Sequence, residues 1–203
     1  MKILCIGRNY EDHAKELKNP VPSEPVIFSK PDTALLRNND PFFLPDFANS
    51  FHYELEIVVR INKLGKNIEE KFASRYYDEI GLGVDFTARD LQDQLKKKGL
   101  PWEKSKAFDH SAVISKFVNK EQYPDLKNLN FHLEINREIR QKGNTSDMIF
   151  SIDQIIAHVS KYFTLKIGDY LYTGTPAGVG PVKIGDRLKG YIEEKEFFDF
   201  EVK

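Results

Sequence analysis

The run His52-Tyr53-Glu54-Leu55-Glu56-Ile57-Val58-Val59-Arg60-Ile61 sets two glutamates two residues apart at the head of a β-branched, apolar stretch. Residues 57–61 predict a strand heading into a core, since β-branched side chains pack well on a pleated surface. Residues i and i+2 of a strand face the same side, so Glu54 and Glu56 point together from a segment that reads as buried. Two carboxylates that close raise one another's pKa and cost free energy unless positive charge lies between them. A divalent cation would answer that need, and so would Arg or Lys side chains from neighbouring strands. The spacing alone leaves both open.

The rest of the chain reads as a single domain over residues 1–203, long enough to bury a substantial core. Residues 2–6 predict a short strand ending at Gly7, and residues 10–17 a helix. Asn19-Pro20-Val21-Pro22-Ser23-Glu24-Pro25 then breaks regular structure. A strand over 26–29 stops at Lys30-Pro31, and Lys63-Leu64-Gly65-Lys66 reads as a turn. A buried strand over 80–86 leads to Thr87, which is expected to cap a helix over 88–98 that stops at Gly99 and Pro101. Residues 111–117, 130–137 and 170–173 are further strand candidates, while 151–162 predict an amphipathic helix capped by Ser151. Many short strands, few helices and no regular βαβ alternation predict a β-rich α+β domain rather than a doubly wound sheet.

Composition narrows the function classes. A net charge of −1 leaves no electrostatic footprint for nucleic acid or an anionic membrane, so neither is expected as a partner. No apolar run approaches the roughly 18 residues that a span needs. The four apolar residues after Lys2 do not resemble a signal peptide, so a soluble, cytoplasmic protein is expected. The single cysteine, Cys5, sits in Ile3-Leu4-Cys5-Ile6 and reads as a small core residue.

Several residues could carry chemistry. Asp85 ends the apolar run Ile80-Gly81-Leu82-Gly83-Val84 and adds a third carboxylate. Three carboxylates without a cysteine or histidine cluster are hard-ligand chemistry, suited to Mg²⁺ or Mn²⁺ rather than Zn²⁺. His13 and Glu16 lie three apart and would share a helix face, either as a pair that deprotonates water or as an ordinary exposed pair. Lys106 could balance the carboxylates or hold a substrate carboxylate, although other lysines stand just upstream. Thr173-Gly174-Thr175-Pro176-Ala177-Gly178-Val179-Gly180 is a glycine-rich loop whose amides could bind an anion or simply make a tight turn. It lacks the ending of a phosphate loop.

Taken in order, Gly7-Arg8-Asn9-Tyr10 with His13 and Glu16, Phe28-Ser29-Lys30-Pro31, His52-Tyr53-Glu54-Leu55-Glu56, Asp85-Phe86-Thr87-Ala88-Arg89-Asp90, Gly99-Leu100-Pro101-Trp102, Lys106 and the 173–180 loop resemble the fumarylacetoacetate hydrolase family. The short N-terminus and the Gly-Arg-Asn-Tyr opening resemble its acylpyruvase and oxaloacetate decarboxylase branch. The resemblance implies a mixed β-sandwich roll working as a homodimer. It implies Mg²⁺ (or Mn²⁺) on Glu54, Glu56 and Asp85, and a catalytic dyad of His13 and Glu16 on a mobile lid over residues 8–25. It also implies an active-site lysine at Lys106 and substrate contacts at Arg89, Gln92, Thr175 and Lys30. Residues 3–9 offer no carboxylate, so the fourth acidic ligand of the larger family members has no counterpart here.

The activity implied is metal-dependent hydrolysis of the C–C bond of an acylpyruvate, a small 2-oxo acid, to pyruvate and a carboxylic acid, with oxaloacetate decarboxylation alongside. An isomerase or tautomerase of unsaturated 2-oxo acids would use the same residues without adding water. A metal-binding interaction module without catalysis is the third reading, and a complete His13/Glu16 pair argues against it.

Overall fold

The apolar run after Glu56 becomes the middle strand of the largest sheet. The computed structural model describes residues 1–17 and 20–203. In chain order the strands are β1 (Ile3–Gly7), β2 (Val26–Lys30), β3 (Leu35–Leu36), β4 (Phe51–Tyr53), β5 (Leu55–Ile61), β6 (Tyr77–Asp85), β7 (Thr87–Ala88), β8 (Ala112–Ile114), β9 (Val118–Asn119), β10 (Asn130–Ile135), β11 (Glu138–Asn144), β12 (Tyr170–Tyr172), β13 (Gly180–Pro181), β14 (Arg187–Ile192) and β15 (Lys195–Glu201). The helices are α1 (Glu11–Glu16), α2 (Glu70–Ala73), α3 (Arg89–Lys97), α4 (Glu103–Lys106) and α5 (Ile152–Tyr162).

The large sheet runs β2-β1-β12-β5-β6-β8-β3, with β9 also paired to β6. A second sheet runs β11-β10-β14-β15, and a small third one β13-β4-β7. Along β5 the side chains alternate as the pleat requires. Leu55, Ile57, Val59 and Ile61 face the second sheet and α5, joining Leu82, Leu133, Leu188, Phe198 and Ile155 in one core. Val58 faces the other way with Ile3, Cys5 and Tyr172, and Glu56 lies on that face too. Each apolar side chain buried on β5 contributes about 1.5–3 kcal/mol. A one-residue slip would eject all four and drive the glutamates into the apolar core, so the register that aims them is firmly set. The result is a β-rich α+β fold, a mixed β-sandwich roll.

Glu56 pairs with Gly83 across β5 and β6. A Cβ at Gly83 would meet the Tyr172 ring and the Val113 carbonyl oxygen, both at 2.7 Å, so only glycine lets these strands close beside the carboxylate.

One expectation needs correction. Thr87 does not cap a helix: it lies in β7, paired to His52 of β4, and its hydroxyl donates to the Asp85 carbonyl at 3.4 Å. Helix α3 starts two residues later with no side-chain cap, and the Arg89 amide is satisfied instead by the Ser50 carbonyl at 2.8 Å. Sheet pairing therefore overrides a good capping residue. The 10–17 helix is observed over Glu11–Glu16. The expected lid over 8–25 and the break at Asn19 fall in part on Lys18 and Asn19, outside the described residues. Ser151 caps α5 as expected, in a reciprocal capping box with Gln154. Among the described residues no helix is long and apolar enough to cross a membrane.

Candidate active site

Glu54 sits between β4 and β5, where its carbonyl accepts from the Asp85 amide at 2.9 Å. That bond brings the end of β6 to the glutamates. One oxygen from each of Glu54, Glu56 and Asp85 lies within 4.8 Å of the others, and all three residues are buried. Basic side chains reach in from three other elements. Lys106, closing α4, donates to Glu54 Oε2 at 2.8 Å and to Asp85 Oδ2 at 2.7 Å. Arg89, opening α3, donates to Glu54 Oε1 and, at 2.7 Å, to Gln92 Oε1. Lys30 Nζ approaches Asp85 Oδ1 to 2.7 Å without hydrogen-bond geometry. It donates instead to Ser111 Oγ at 2.9 Å and to the carbonyls of Ser111 and Lys106.

Pairing with Arg and Lys is thus realised for Glu54 and Asp85. Glu56 has no basic partner among the described residues and accepts only the Gly174 amide, at 2.7 Å. The electrostatics follow from this geometry. Burial would raise Glu54, but Lys106 and Arg89 outweigh it and hold this carboxyl well below the usual range. Burial lifts Glu56 well above its ordinary value, Asp85 and Glu54 lift it further, and the Gly174 amide only partly offsets them. Burial alone would pull the Lys106 ammonium down, but Asp85 and Glu54 prevail and raise it. An all-oxygen set with one carboxylate lacking a counter-charge, and with Asp85 Oδ1 lacking a hydrogen-bond donor, fits a hard divalent cation.

The second component comes from α1. His13 and Glu16 share a face at helical spacing, with Nδ1 3.2 Å from Glu16 Oε2. Burial lowers the His13 pKa, and Glu54 and Glu16 offset only part of that, so the ring is neutral at neutral pH. Glu16 accepts from the Gly178 amide at 3.1 Å and 3.3 Å on its two oxygens. The amides of the glycine-rich loop are therefore spent on the protein's own glutamates, Gly174 on Glu56 and Gly178 on Glu16. Asn9 ties the start of α1 to this loop, donating to the Thr173 carbonyl at 2.8 Å and to the Phe150 carbonyl at 3.0 Å. Gly174 has φ +99°, and a Cβ there would come within 2.6 Å of Asn9 Cβ.

His13, the three carboxylates, Arg89, Gln92, Lys106 and Thr175 line one cavity with about 30 Å³ of free space, together with Arg8 and Lys96. Glu16 stands behind His13 and Lys30 behind Asp85. An adjoining, more apolar cavity of about 390 Å³ runs between β2, Trp102 and Phe163 and shares Lys106. Sequence reasoning missed Gln141. Its Oε1 accepts from the Leu55 amide at 3.0 Å, and its Nε2 donates to Thr175 Oγ1 at 2.7 Å and to the Pro176 carbonyl at 2.8 Å. Since Thr175 Oγ1 accepts here, its own proton is left to point elsewhere. The stretch Glu138-Ile139-Arg140-Gln141-Lys142 lacks the apolar alternation that would have marked a strand.

Comparisons with known proteins agree with this architecture. A family model described as fumarylacetoacetate (FAA) hydrolase C-terminal matches residues 2–202. The mitochondrial oxaloacetate tautomerase FAHD1 of Bos taurus is 48% identical over 190 residues, covering 94% of this chain and 86% of the relative. The mitochondrial oxaloacetate decarboxylase of Dictyostelium discoideum is 43% identical over 189 residues, covering 93% and 87%. The crystal structure of fumarylpyruvate hydrolase from Pseudomonas aeruginosa in complex with Mn²⁺ and pyruvate superposes with a TM-score of 0.94 at 33% identity, covering 100% of this chain and 89% of that one. With a family model matched over residues 2–202 and relatives more than 40% identical over nearly the whole chain, the chain belongs to the fumarylacetoacetate hydrolase family of enzymes.

Proposed function

We propose that this enzyme interconverts the keto and enol forms of oxaloacetate, or of a closely related 2-oxo acid. The observation that carries the reading is a buried histidine paired with a carboxylate beside a buried acidic triad that could hold a cation. Keto–enol exchange moves one proton between C3 and the C2 oxygen, with no net change in atoms or electrons. It therefore needs a base, a proton donor and stabilisation of charge on one oxygen, and nothing else.

The dyad supplies the base. With Nδ1–H directed at Glu16 Oε2, the His13 Nε2 lone pair is free to take a proton from C3 and return it. The Gly178 amide holds Glu16 in place for that task. Arg89, Gln92, Thr175 and Lys106 line the same cavity and would orient the carboxylates and the C2 oxygen. Lys30, behind Asp85, keeps that carboxylate aimed at the site rather than touching substrate. Glu54, Glu56 and Asp85 would hold Mg²⁺ or Mn²⁺, which supplies a Lewis acid for the oxygen on which charge develops. The working unit is proposed to be a homodimer; a monomer in sedimentation at assay concentrations would count against it.

Hydrolysis of an acylpyruvate is the second reading, favoured by the same dyad, which can equally deprotonate a water, and by the likeness to a fumarylpyruvate hydrolase. Decarboxylation of oxaloacetate would use the floor without that water. One experiment separates the three. The ultraviolet absorbance of enol-oxaloacetate and the release of pyruvate from oxaloacetate and from acetylpyruvate are followed with metal-stripped protein and with added Mg²⁺ or Mn²⁺. Fast loss of the enol band without pyruvate supports the tautomerase. Pyruvate from acetylpyruvate moves the assignment to hydrolase, and pyruvate from oxaloacetate above the metal-only background moves it to decarboxylase.

A further inference from the structure

The cations of this cavity fall into two sets. Arg89 and Lys106 are engaged with Glu54. Arg8 and Lys96 line the same cavity, yet neither forms an ion pair among the described residues. Lys96 shares the inward face of α3 with Arg89 and Gln92, at spacings of seven and four residues. Its ammonium lies 5.5 Å from the Trp102 ring centroid, which holds it over the cavity wall rather than out in solvent. Burial and the nearby charges of Arg89 and Arg8 push the Lys96 pKa down, and exposed Asp93 on its own helix only partly opposes them. Arg8 follows β1 in the left-handed region, at φ +61°, a strained conformation for a non-glycine residue. Two cations gathered at one half-buried rim repel unless an anion joins them, as do the carboxylates below.

We propose that Arg8 and Lys96 form a second carboxylate subsite at the mouth of the cavity, which receives the far carboxylate of a 2-oxo dicarboxylic acid. The assignment rests on the reading above, in which the floor takes the 2-oxo acid head. Oxaloacetate has such a second carboxylate and acetylpyruvate does not, so this pair sets the choice between them.

The test uses two unreactive ligands that share a 2-hydroxy acid head, malate with a far carboxylate and lactate without one, titrated calorimetrically into the Mg²⁺-loaded protein. Charge-assisted hydrogen bonds from both cations should make malate bind about 10-fold tighter than lactate or better. In the Arg8→Gln/Lys96→Gln double variant that advantage should shrink to about 2-fold or less, with lactate affinity unchanged, while Arg8→Lys should retain most of it. Equal binding of the two ligands by the wild type, no binding of malate, or equal weakening of both in the double variant overturns the subsite. If the malate preference follows Arg8 and Lys96 but enol-oxaloacetate is not consumed any faster, the tautomerase reading falls and the subsite stands.

Discussion

Glu54 and Glu56 stand two residues apart and are both buried, yet the two halves of the floor they define differ in charge balance. On the Glu54–Asp85 side, Lys106, Arg89 and Lys30 supply three cations to two carboxylates. On the Glu56 side a single backbone amide faces a carboxylate already crowded by two others. The contrast teaches where a metal would be needed. The paired half is balanced by itself, because each of its carboxylates accepts a hydrogen bond from at least one cation, whereas the unpaired half is satisfied only by a proton or an added cation.

Removing Lys106 should break that contrast most severely. Lys106→Met leaves Glu54 and Asp85 short of their shared ammonium, and loss of one partner of a buried pair costs about 3–5 kcal/mol. Chemical denaturation of the metal-free variant should register that loss, and excess Mn²⁺ should restore more stability to it than to the wild type. An unmoved midpoint would mean that the ammonium is not neutralising the floor.

Glu56→Gln sharpens the comparison, because it should act in opposite directions with and without metal. The amide oxygen still accepts from Gly174, so the metal-free protein should gain about 1 kcal/mol by losing an unpaired buried charge. Mn²⁺ affinity, read by calorimetry, should fall by about 100-fold or more, beyond the 10–100-fold typical of residues behind the ligands. Glu54→Gln should instead destabilise the metal-free protein, since it strands Arg89 and Lys106. The same sign for both variants would erase the distinction between the halves.

The pH dependence of metal-free stability gives a smaller effect with a definite sign. Glu56 has a raised pKa, so its contribution is fully present below the ordinary carboxylate range and is lost as pH rises toward its folded value. Glu54 has a lowered pKa, so its contribution is present above the ordinary range and is lost as pH falls below it. Denaturation midpoints measured from pH 4 to 8 should therefore show the Glu56→Gln advantage growing with pH. A constant advantage would place the proton elsewhere.

The smallest effect lies in the dyad. Glu16 raises the His13 pKa against the lowering by burial, so Glu16→Gln should move the histidine titration to lower pH. NMR of labelled His13 would follow it. A shift upward would mean that Glu16 is not the partner of Nδ1.

The acidic floor was legible in the sequence because a strand places i and i+2 on one face and because the apolar run fixes which face. The strands beginning at residues 3, 26, 55, 77 and 170, and helix α5 with its cap, were legible for the same local reasons. The hairpin β14–β15 was not: the inward position at its centre is Gly190, where a Cβ would lie 2.3 Å from the Phe198 ring, so the alternation has a gap where its signal should be strongest. The counter-charges were invisible too. Lys30, Arg89 and Lys106 come from separate elements and meet Asp85 or Glu54 only after the sheet is assembled, and no local pattern distinguishes Lys106 from Lys104. Thr87 misled because β4 claimed the residues that capping would have used.

The placement of β12 has a consequence for how the chain comes together. Among the described residues β1 and β2 reach the rest of the large sheet only through β12, which pairs in parallel with β1 on one side and antiparallel with β5 on the other. The hairpin of β5 and β6, which carries the acidic floor, forms from neighbouring sequence. The segment bearing the dyad waits for residues made 167 positions later, a contact whose loop-closure entropy slows folding. During synthesis the β5–β6 pair that carries Glu56 and Asp85 is therefore made long before β12 seats the α1 segment beside it, and a chain halted ahead of Tyr170 lacks the Gly174 amide that Glu56 accepts.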